Sequence, residues 1–349
     1  MKKKSCSDKV RVGVIGLGIG QHHIWGYQKC PNAQIVGICD LDAPRVQQVA
    51  KKENIARWFT DYRKMLELPD LDAVSICTPN FLHRPIAVAA FAAGKHVLCE
   101  KPLSISAQEG KKIITAAKQA KKKFMMAYCN RFRGESQLLK QFITAGELGQ
   151  IYYAKCGWLR RRGIPGMGGW FTTKSKSGGG PLIDLGVHVL DLTLWLMGFP
   201  EVDLVTGSVY TQFGNKNTGF WWRSGNAPFD VEDLASAFIK LKNGATVSLD
   251  ASWASNIEKS DEFYSRLMGT KGGAQLDPLI IYKEELGAQV DLKPVYPKVD
   301  TFAAETAYFI DCILKNKEPM ATGEQGLEIM QILDAIYLSA KTGKQIKIK

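Results

Sequence analysis

The chain has 349 residues, 45% of them apolar and 23% charged, with a net charge of +12. That length suffices for two domains with sizeable cores, and the ordinary composition excludes a disordered or fibrous chain. The lysines stand in short clusters such as "MKKK" and "AKKKF" with no nucleic-acid-binding motif beside them, and the basic N-terminus is not followed by an apolar h-region. No apolar run is read as approaching the eighteen or so residues of a membrane helix. The expectation is a cytoplasmic protein that binds neither nucleic acid nor membrane.

From Val10 to about Tyr128, strand-like and helix-like stretches alternate. "VRVGVIG" is a β-branched strand, and a helix follows over residues 21–29. "AQIVGICD" is the next strand, then "APRVQQVAKKE" reads as a helix. "DAVSICTP", "KHVLCEK" and "KFMMAYC" are further strands, separated by the helical stretches "HRPIAVAAFAAG" and "AQEGKKIITAAKQAKKK". The strands lack clean polar alternation, so both faces of their sheet are buried, as in a parallel sheet. This predicts an α/β fold whose first domain, residues 1–129, is a doubly wound Rossmann sheet.

After Gly149 the texture changes. "IYYAKCGWLRRR", "VDLVTGSVYTQF", "LASAFIKLKNG", "ATVSLDASWAS" and "EFYSRLMG" read as strands, with a hairpin turn at Lys242–Gly244. Residues 130–349 therefore form an α+β domain with an open, mainly antiparallel sheet. Two late helices, near 302–315 and 324–341, pack on that sheet or back against the first domain. The open sheet face is expected to build a homodimer or homotetramer. Segments 160–180 and 214–230 read as long loops, a setting that often carries function. Eight cysteines include no CxxC pair. Cys39, Cys77, Cys99 and Cys129 end strand-like runs and read as small buried residues, which points to a reducing compartment, and no structural zinc site is expected.

"VIGLGIGQHH" follows the first strand and opens a helix. Gly16, Gly18 and Gly20 would let the backbone turn tightly and approach a pyrophosphate held at the helix N-terminus. The spacing is G-x-G-x-G, one residue short of the usual pattern, since Gln21 stands where the third glycine is expected. Asp40 ends the second strand, where an acid hydrogen-bonds the ribose hydroxyls and disfavours a 2′-phosphate. NAD is thus expected over NADP, with Arg45 as the one nearby feature that argues otherwise. Thr78, Asn80 and His83 of "CTPNFLH" would face the crevice beyond the strand ends. His83 reads equally as a helix-start histidine. In "HVLCEKPLS", Pro102 stiffens the chain after Lys101.

In "GGGPLIDLGVHVLDL", Pro181 stands at a first helical position, and Asp184 and His188 are four residues apart on one helical face. Asp191, one turn further, could orient the imidazole.

Together these segments resemble the glucose–fructose oxidoreductase/inositol dehydrogenase family (Gfo/Idh/MocA), and the resemblance spans nearly the whole chain. It implies that Lys101 contacts substrate and nicotinamide and that Asp184 and His188 complete the catalytic group. Ile19, Gln21, His22 and Glu100 fall within the implied coenzyme site, Glu100 through its backbone. A hydride leaves a carbinol carbon only as the hydroxyl proton is taken. His188 is read as that base, and Asp184 as orienting it or binding an adjacent hydroxyl. Lys101 would stabilise the alkoxide, on a Lys–Pro bond that suits the cis form. Asn130, Arg131, Trp158, Arg160 and Trp170 are candidate substrate contacts, as are Arg161, Phe171, Trp221 and Trp222, each equally readable as packing. The implied activity is NAD-dependent oxidation or reduction of a secondary hydroxyl on a sugar, glycoside or inositol-like polyol. Two alternatives stay open: a glycosidase that uses transient C3 oxidation and elimination, and a dinucleotide-sensing regulator without turnover.

Overall fold

The computed structural model describes residues 9–214 and 228–348. They form two compact units: Met1–Ser104 with Gln108–Cys129 and Asp300–Leu327, and Ile105–Ala107 with Asn130–Val299 and Glu328–Lys349.

In the first unit the chain runs β1 (Val10–Ile15), α1 (Gly20–Lys29), β2 (Ala33–Cys39), α2 (Ala43–Lys52), β3 (Trp58–Phe59), α3 (Tyr62–Leu66), β4 (Ala73–Ile76), α4 (His83–Ala92), β5 (His96–Glu100), α5 (Ala107–Ala120) and β6 (Phe124–Ala127). The strands make a six-stranded, wholly parallel sheet in the order β3-β2-β1-β4-β5-β6. Val12, Val14, Ile38, Val74, Ile76, Val97 and Leu98 are buried, because helices cover both faces. The strand order reverses direction between β1 and β4, and ligands bind such sheets at that point, beyond the carboxyl strand ends.

The second unit contributes α6 (Gly134–Thr144), β7 (Ile151–Arg160), α7 (Lys174–Ser177), a π-helical turn (Leu182–Gly186) running into α8 (Val187–Met197), β8 (Val202–Tyr210), β9 (Leu234–Leu241), β10 (Thr246–Ser252), β11 (Asp261–Gly269), β12 (Gly272–Leu276), β13 (Ile280–Glu285) and β14 (Ala288–Leu292). α9 (Thr301–Leu314) follows, then α10 (Gly323–Thr342) and β15 (Ile346–Lys347). α9 belongs to the first unit, C-terminal though it is to the boundary read at 129/130. Gly26 of α1 makes room for it: a β-carbon there would sit 2.5 Å from Thr306 Oγ1.

The nine strands of the second unit pair in the order β14-β13-β12-β11-β7-β10-β9-β8-β15. All pairs are antiparallel except β7 with β10. Residues 242–244 turn β9 back onto β10, as the Lys-Asn-Gly signal predicts. Alternation is strict there. Ala235, Ala237, Ile239, Leu241, Val247, Leu249 and Ala251 are buried, while Phe238 and Lys240 are exposed on the opposite face.

One apolar stretch corrects the reading of the sequence. Lys174–Met197 is long and apolar enough to cross a membrane, with a mean hydropathy of 1.3 over its eighteen-residue apolar window. The protein itself covers it, for 78% of that window is buried. Seven cysteines among the described residues are free thiols, six of them buried. Burial pushes the Cys39 and Cys156 thiols up to about 12.

Candidate active site

In the first unit the three glycines after β1 do three different jobs. Gly16 has φ +89°, and a β-carbon on it would lie 2.5 Å from the Cys77 carbonyl oxygen, so it makes the tight turn. Gly18 has nothing within 4 Å of an added β-carbon and leaves its loop open to an approaching phosphate. At Gly20 a β-carbon would come within 2.9 Å of Val14 Cγ1 and 3.2 Å of Cys77 Cβ, so it lets α1 close on the sheet. These are the turn, approach and packing roles of a dinucleotide loop, and the shortened spacing keeps all three. Gly16→Ala should cost about 1–2 kcal/mol or more from the left-handed backbone alone. Gly18→Ala should leave denaturant stability unchanged or raised by up to about 1 kcal/mol, yet weaken NADH binding by about tenfold or more. Unfolding curves and NADH fluorescence titrations separate the two; unchanged affinity in Gly18→Ala would remove the loop from the coenzyme site.

Asp40 is buried at the end of β2. Its Oδ2 accepts from Leu17 N at 2.8 Å and its Oδ1 from Asp42 N at 2.9 Å, so the carboxylate braces the glycine turn. A carboxylate has about four lone-pair sites, which leaves capacity for a ribose diol. Arg45 is held by Asp40 at 3.4 Å and Asp42 at 3.0 Å. Beyond β4, the Thr78 hydroxyl is buried with no partner among the described residues. An open cradle, a braced acid and an unmatched hydroxyl at the crevice end of one sheet fit a nicotinamide dinucleotide.

Several other residues assigned to this site also bond or pack within the fold. Ile19 is exposed, and Gln21 Nε2 returns to the Leu17 carbonyl at 2.9 Å. His22 stacks on Phe302 at 4.8 Å and meets Trp25 edge-on, so its ring also packs α1 against α9. Asn80 is buried in the turn Asn80–Leu82. His83 is also buried: Nδ1 lies 2.8 Å from Pro102 O and Nε2 2.8 Å from Thr78 O, so both ring nitrogens face backbone carbonyls. Burial pushes its pKa down, against the pull of those carbonyls and of Glu100.

The "EKP" turn is anchored by a residue that the sequence reading passed over. His23 is fully buried. Its Nε2 lies 3.0 Å from Glu100 Oε1, and its Nδ1 lies 3.1 Å from Ser75 Oγ, which Tyr27 OH also reaches at 2.7 Å. Glu100 Oε2 accepts from Lys101 N at 3.1 Å. Glu100 thus acts through its side chain, fixing the backbone on which Lys101 stands. The Lys101–Pro102 bond is cis. From Val97 to Ser104 every residue is buried except Lys101.

The second unit repeats that pattern. From Gly179 to Leu194 every residue is buried except Asp184 and His188. Asp184 lies in the π-helical turn, a form that often marks functional sites. Its Oδ2 accepts from Nε1 of the buried Trp253 at 3.0 Å. The His188 ring is tilted against Trp158 at 5.6 Å. Glu232 fixes the start of this turn, accepting from Gly180 N, Leu182 N and Tyr337 OH at 3.0, 3.1 and 2.8 Å. Glu232 and Trp253 carry no local sequence signal that marks them, since each acts on residues about fifty or more positions away.

Trp158 Nε1 donates to Asp261 Oδ1 at 2.7 Å, and Arg160 pairs with Asp261 and lies over the Trp158 ring. Trp170 stacks on Phe171 at 3.8 Å, and Phe171 meets Trp253 edge-on. Ile164, Met167, Phe171 and Trp158 pack on the cluster Leu185, Phe229, Val231 and Trp253. Half-buried aromatic faces beside Asp184 and His188 suit a ring with C–H faces. Asn130 is half-buried in the turn Cys129–Phe132, and Arg161 is exposed. Trp221 and Trp222 lie outside the described residues.

Two assignments are corrected. Arg131 is 0% exposed and forms a bidentate pair with Asp191, Nε to Oδ2 at 2.9 Å and Nη2 to Oδ1 at 2.6 Å. Trp195 and Phe199 flank its guanidinium. Arg131 is therefore spent inside the fold and is no substrate contact. Asp191, expected to orient His188, instead holds Arg131 through both oxygens.

Comparison with known proteins settles the family. Residues 10–128 match the family model described as "Oxidoreductase family, NAD-binding Rossmann fold", and residues 140–348 match its C-terminal alpha/beta domain. The chain belongs to the Gfo/Idh/MocA oxidoreductase family. Among its curated relatives is the D-glucoside 3-dehydrogenase of Escherichia coli, 32% identical over 352 residues and all of both chains. The NAD-dependent scyllo-inositol 2-dehydrogenase of Bacillus subtilis is 27% identical over 97% of this chain and 96% of its own. A levoglucosan dehydrogenase solved with NADH and L-sorbose superposes with a TM-score of 0.89 at 24% identity, over 98% of this chain and 99% of that one. The Gfo/Idh/MocA assignment makes this chain an NAD-binding oxidoreductase.

Proposed function

We propose that this Gfo/Idh/MocA oxidoreductase moves a hydride between NAD and a secondary hydroxyl of a sugar or glycoside ring, with a glucoside as the leading substrate class. One observation carries the reading. In the two buried segments that hold the family's motifs, the only residues that are not fully buried are Lys101 in the first unit and Asp184 and His188 in the second. An amine, a carboxylate and an imidazole kept partly exposed on otherwise buried elements are costly to place by chance and are the groups that carbinol chemistry needs. The glucoside and inositol dehydrogenase names of the relatives support the substrate class.

NAD, bound along the glycine turn and Asp40, supplies the hydride acceptor. His188 takes the hydroxyl proton as the carbinol becomes a carbonyl. Lys101 donates to the oxygen as negative charge develops on it, an interaction that strengthens toward the transition state. Asp184, fixed by Trp253, binds a neighbouring hydroxyl or holds the imidazole. Asp40, with Arg45 already paired, favours NAD over NADP.

A panel of methyl and aryl glucosides, free sugars and inositols, assayed with both coenzymes at 340 nm, tests this. NADH formation is expected on glucosides, with kcat/KM about tenfold or more higher for NAD, a difference of roughly 1.4 kcal/mol. Aglycone release without NADH would replace the reading by the elimination route. No turnover on any compound, with tight NADH binding, would replace it by a sensing role.

A further inference from the structure

We infer that His83 is a positioning residue with two separable halves, Nδ1 setting the Lys101 turn and Nε2 setting the coenzyme-side loop after β4. The half that concerns Lys101 rests on the reading of that lysine given above. His83 opens α4, and its ring spans two stretches of chain that otherwise belong to different strand ends. One is Cys77–Thr78 after β4, against which the glycine turn lies so closely that a β-carbon on Gly16 would sit 2.5 Å from Cys77 O and 2.9 Å from Thr78 N. The other is Lys101–Pro102 after β5. The two contacts are equal at 2.8 Å, and the ring is fully buried.

A carbonyl oxygen only accepts. The neutral ring can donate to one carbonyl at a time, while the imidazolium donates to both. Glu100 and Lys101 are the charged groups that act on it, with opposite signs. In either protonation state the imidazole is the only side chain that the described hydrogen bonds join to both the Thr78 and the Pro102 carbonyl. A helix-start histidine that merely filled space would need neither contact.

Amide side chains divide the two functions. Asparagine places its Nδ2 where a histidine carries Nδ1, and glutamine places its Nε2 where a histidine carries Nε2. His83→Asn therefore keeps an N–H group facing the Pro102 carbonyl and removes the ring nitrogen facing Thr78, and His83→Gln does the reverse. The measurements are the NADH dissociation constant by fluorescence and kcat on the fastest methyl glucoside of the panel, in the full chain. His83→Asn should bind NADH about tenfold more weakly with kcat nearly kept. His83→Gln should bind NADH normally and lose about tenfold in kcat. Thermal stability, which a purely structural role would move, should fall comparably in both.

Equal losses of both constants in the two variants, or no change in either, would overturn the inference. If one variant does not fold, the other decides by whether its own two constants separate. The NADH arm needs no substrate, so it reads the coenzyme half even if the role given to Lys101 is wrong. That role falls separately, if Lys101→Met keeps full turnover.

Discussion

Lys101→Met is expected to lower kcat by about 10²–10⁴-fold, the range for a positioned proton-transfer or charge-stabilising group, and to leave the NADH dissociation constant within about threefold. The side chain stands at the end of β5 on a backbone that Glu100 fixes through the Lys101 N–H. Glu100 is itself fixed by His23. Methionine keeps the length and apolar stem and removes the donor and the charge, so the loss reports on the ammonium alone. Lys101→Arg keeps the charge but spreads it over a planar fork, and a site built for a compact ammonium should recover only part of the rate. A separate Glu100→Gln variant keeps the shape and weakens the hold on the turn. It should fall between the wild type and Lys101→Met in kcat. Steady-state rates with the panel glucosides and NADH titrations supply both readouts. Turnover in Lys101→Met within about threefold of wild type would end the catalytic assignment.

Much of this site could be read from sequence because its signals are local. The glycine turn, the acid at the end of β2 and the "EKP" stub each lie within a few residues of the strand that places them. The spacing of Asp184 and His188 needed only helical periodicity, although the turn that carries Asp184 proves to be π-helical. What went unread acts over long sequence distances or lacks a strong pattern. β12 to β14 are only five or six residues long, and Gly272, Gly273 and the run Lys283–Glu285 interrupt what apolar alternation they have. The adjacent histidines of α1 were separable in principle. Gly20, His23, Ile24 and Tyr27 are buried at helical spacing, and His22 falls off that stripe with Trp25. Counting the helix phase from Gly20 would have chosen His23. Arg131 offered no such clue, since its partner lies sixty residues away.

Arg131→Met should be the most destabilising single change among the residues once assigned to substrate. Both members of the Arg131–Asp191 pair are almost fully buried. Removing one partner of such a pair strands the other charge, at a cost of about 3–5 kcal/mol. Burial pushes the Asp191 pKa up while Arg131 pulls it down, so without the guanidinium only the upward push remains. A carboxyl whose pKa is higher folded than unfolded binds more protons in the folded state, and stability then falls as pH rises. The defect of Arg131→Met should therefore shrink as pH drops from neutral toward the ordinary carboxylate range, where Asp191 can enter the core protonated. Arg131→Met with Asp191→Leu removes both charges together and should recover most of the loss at pH 7, because apolar groups of similar size replace a buried pair at little cost. Urea unfolding of the wild type, both single variants and the double variant at two pH values completes the cycle. If Arg131→Met were as stable as wild type and lost only substrate affinity, the guanidinium would be a ligand contact after all, and the burial that assigns it to the core would be the wrong guide.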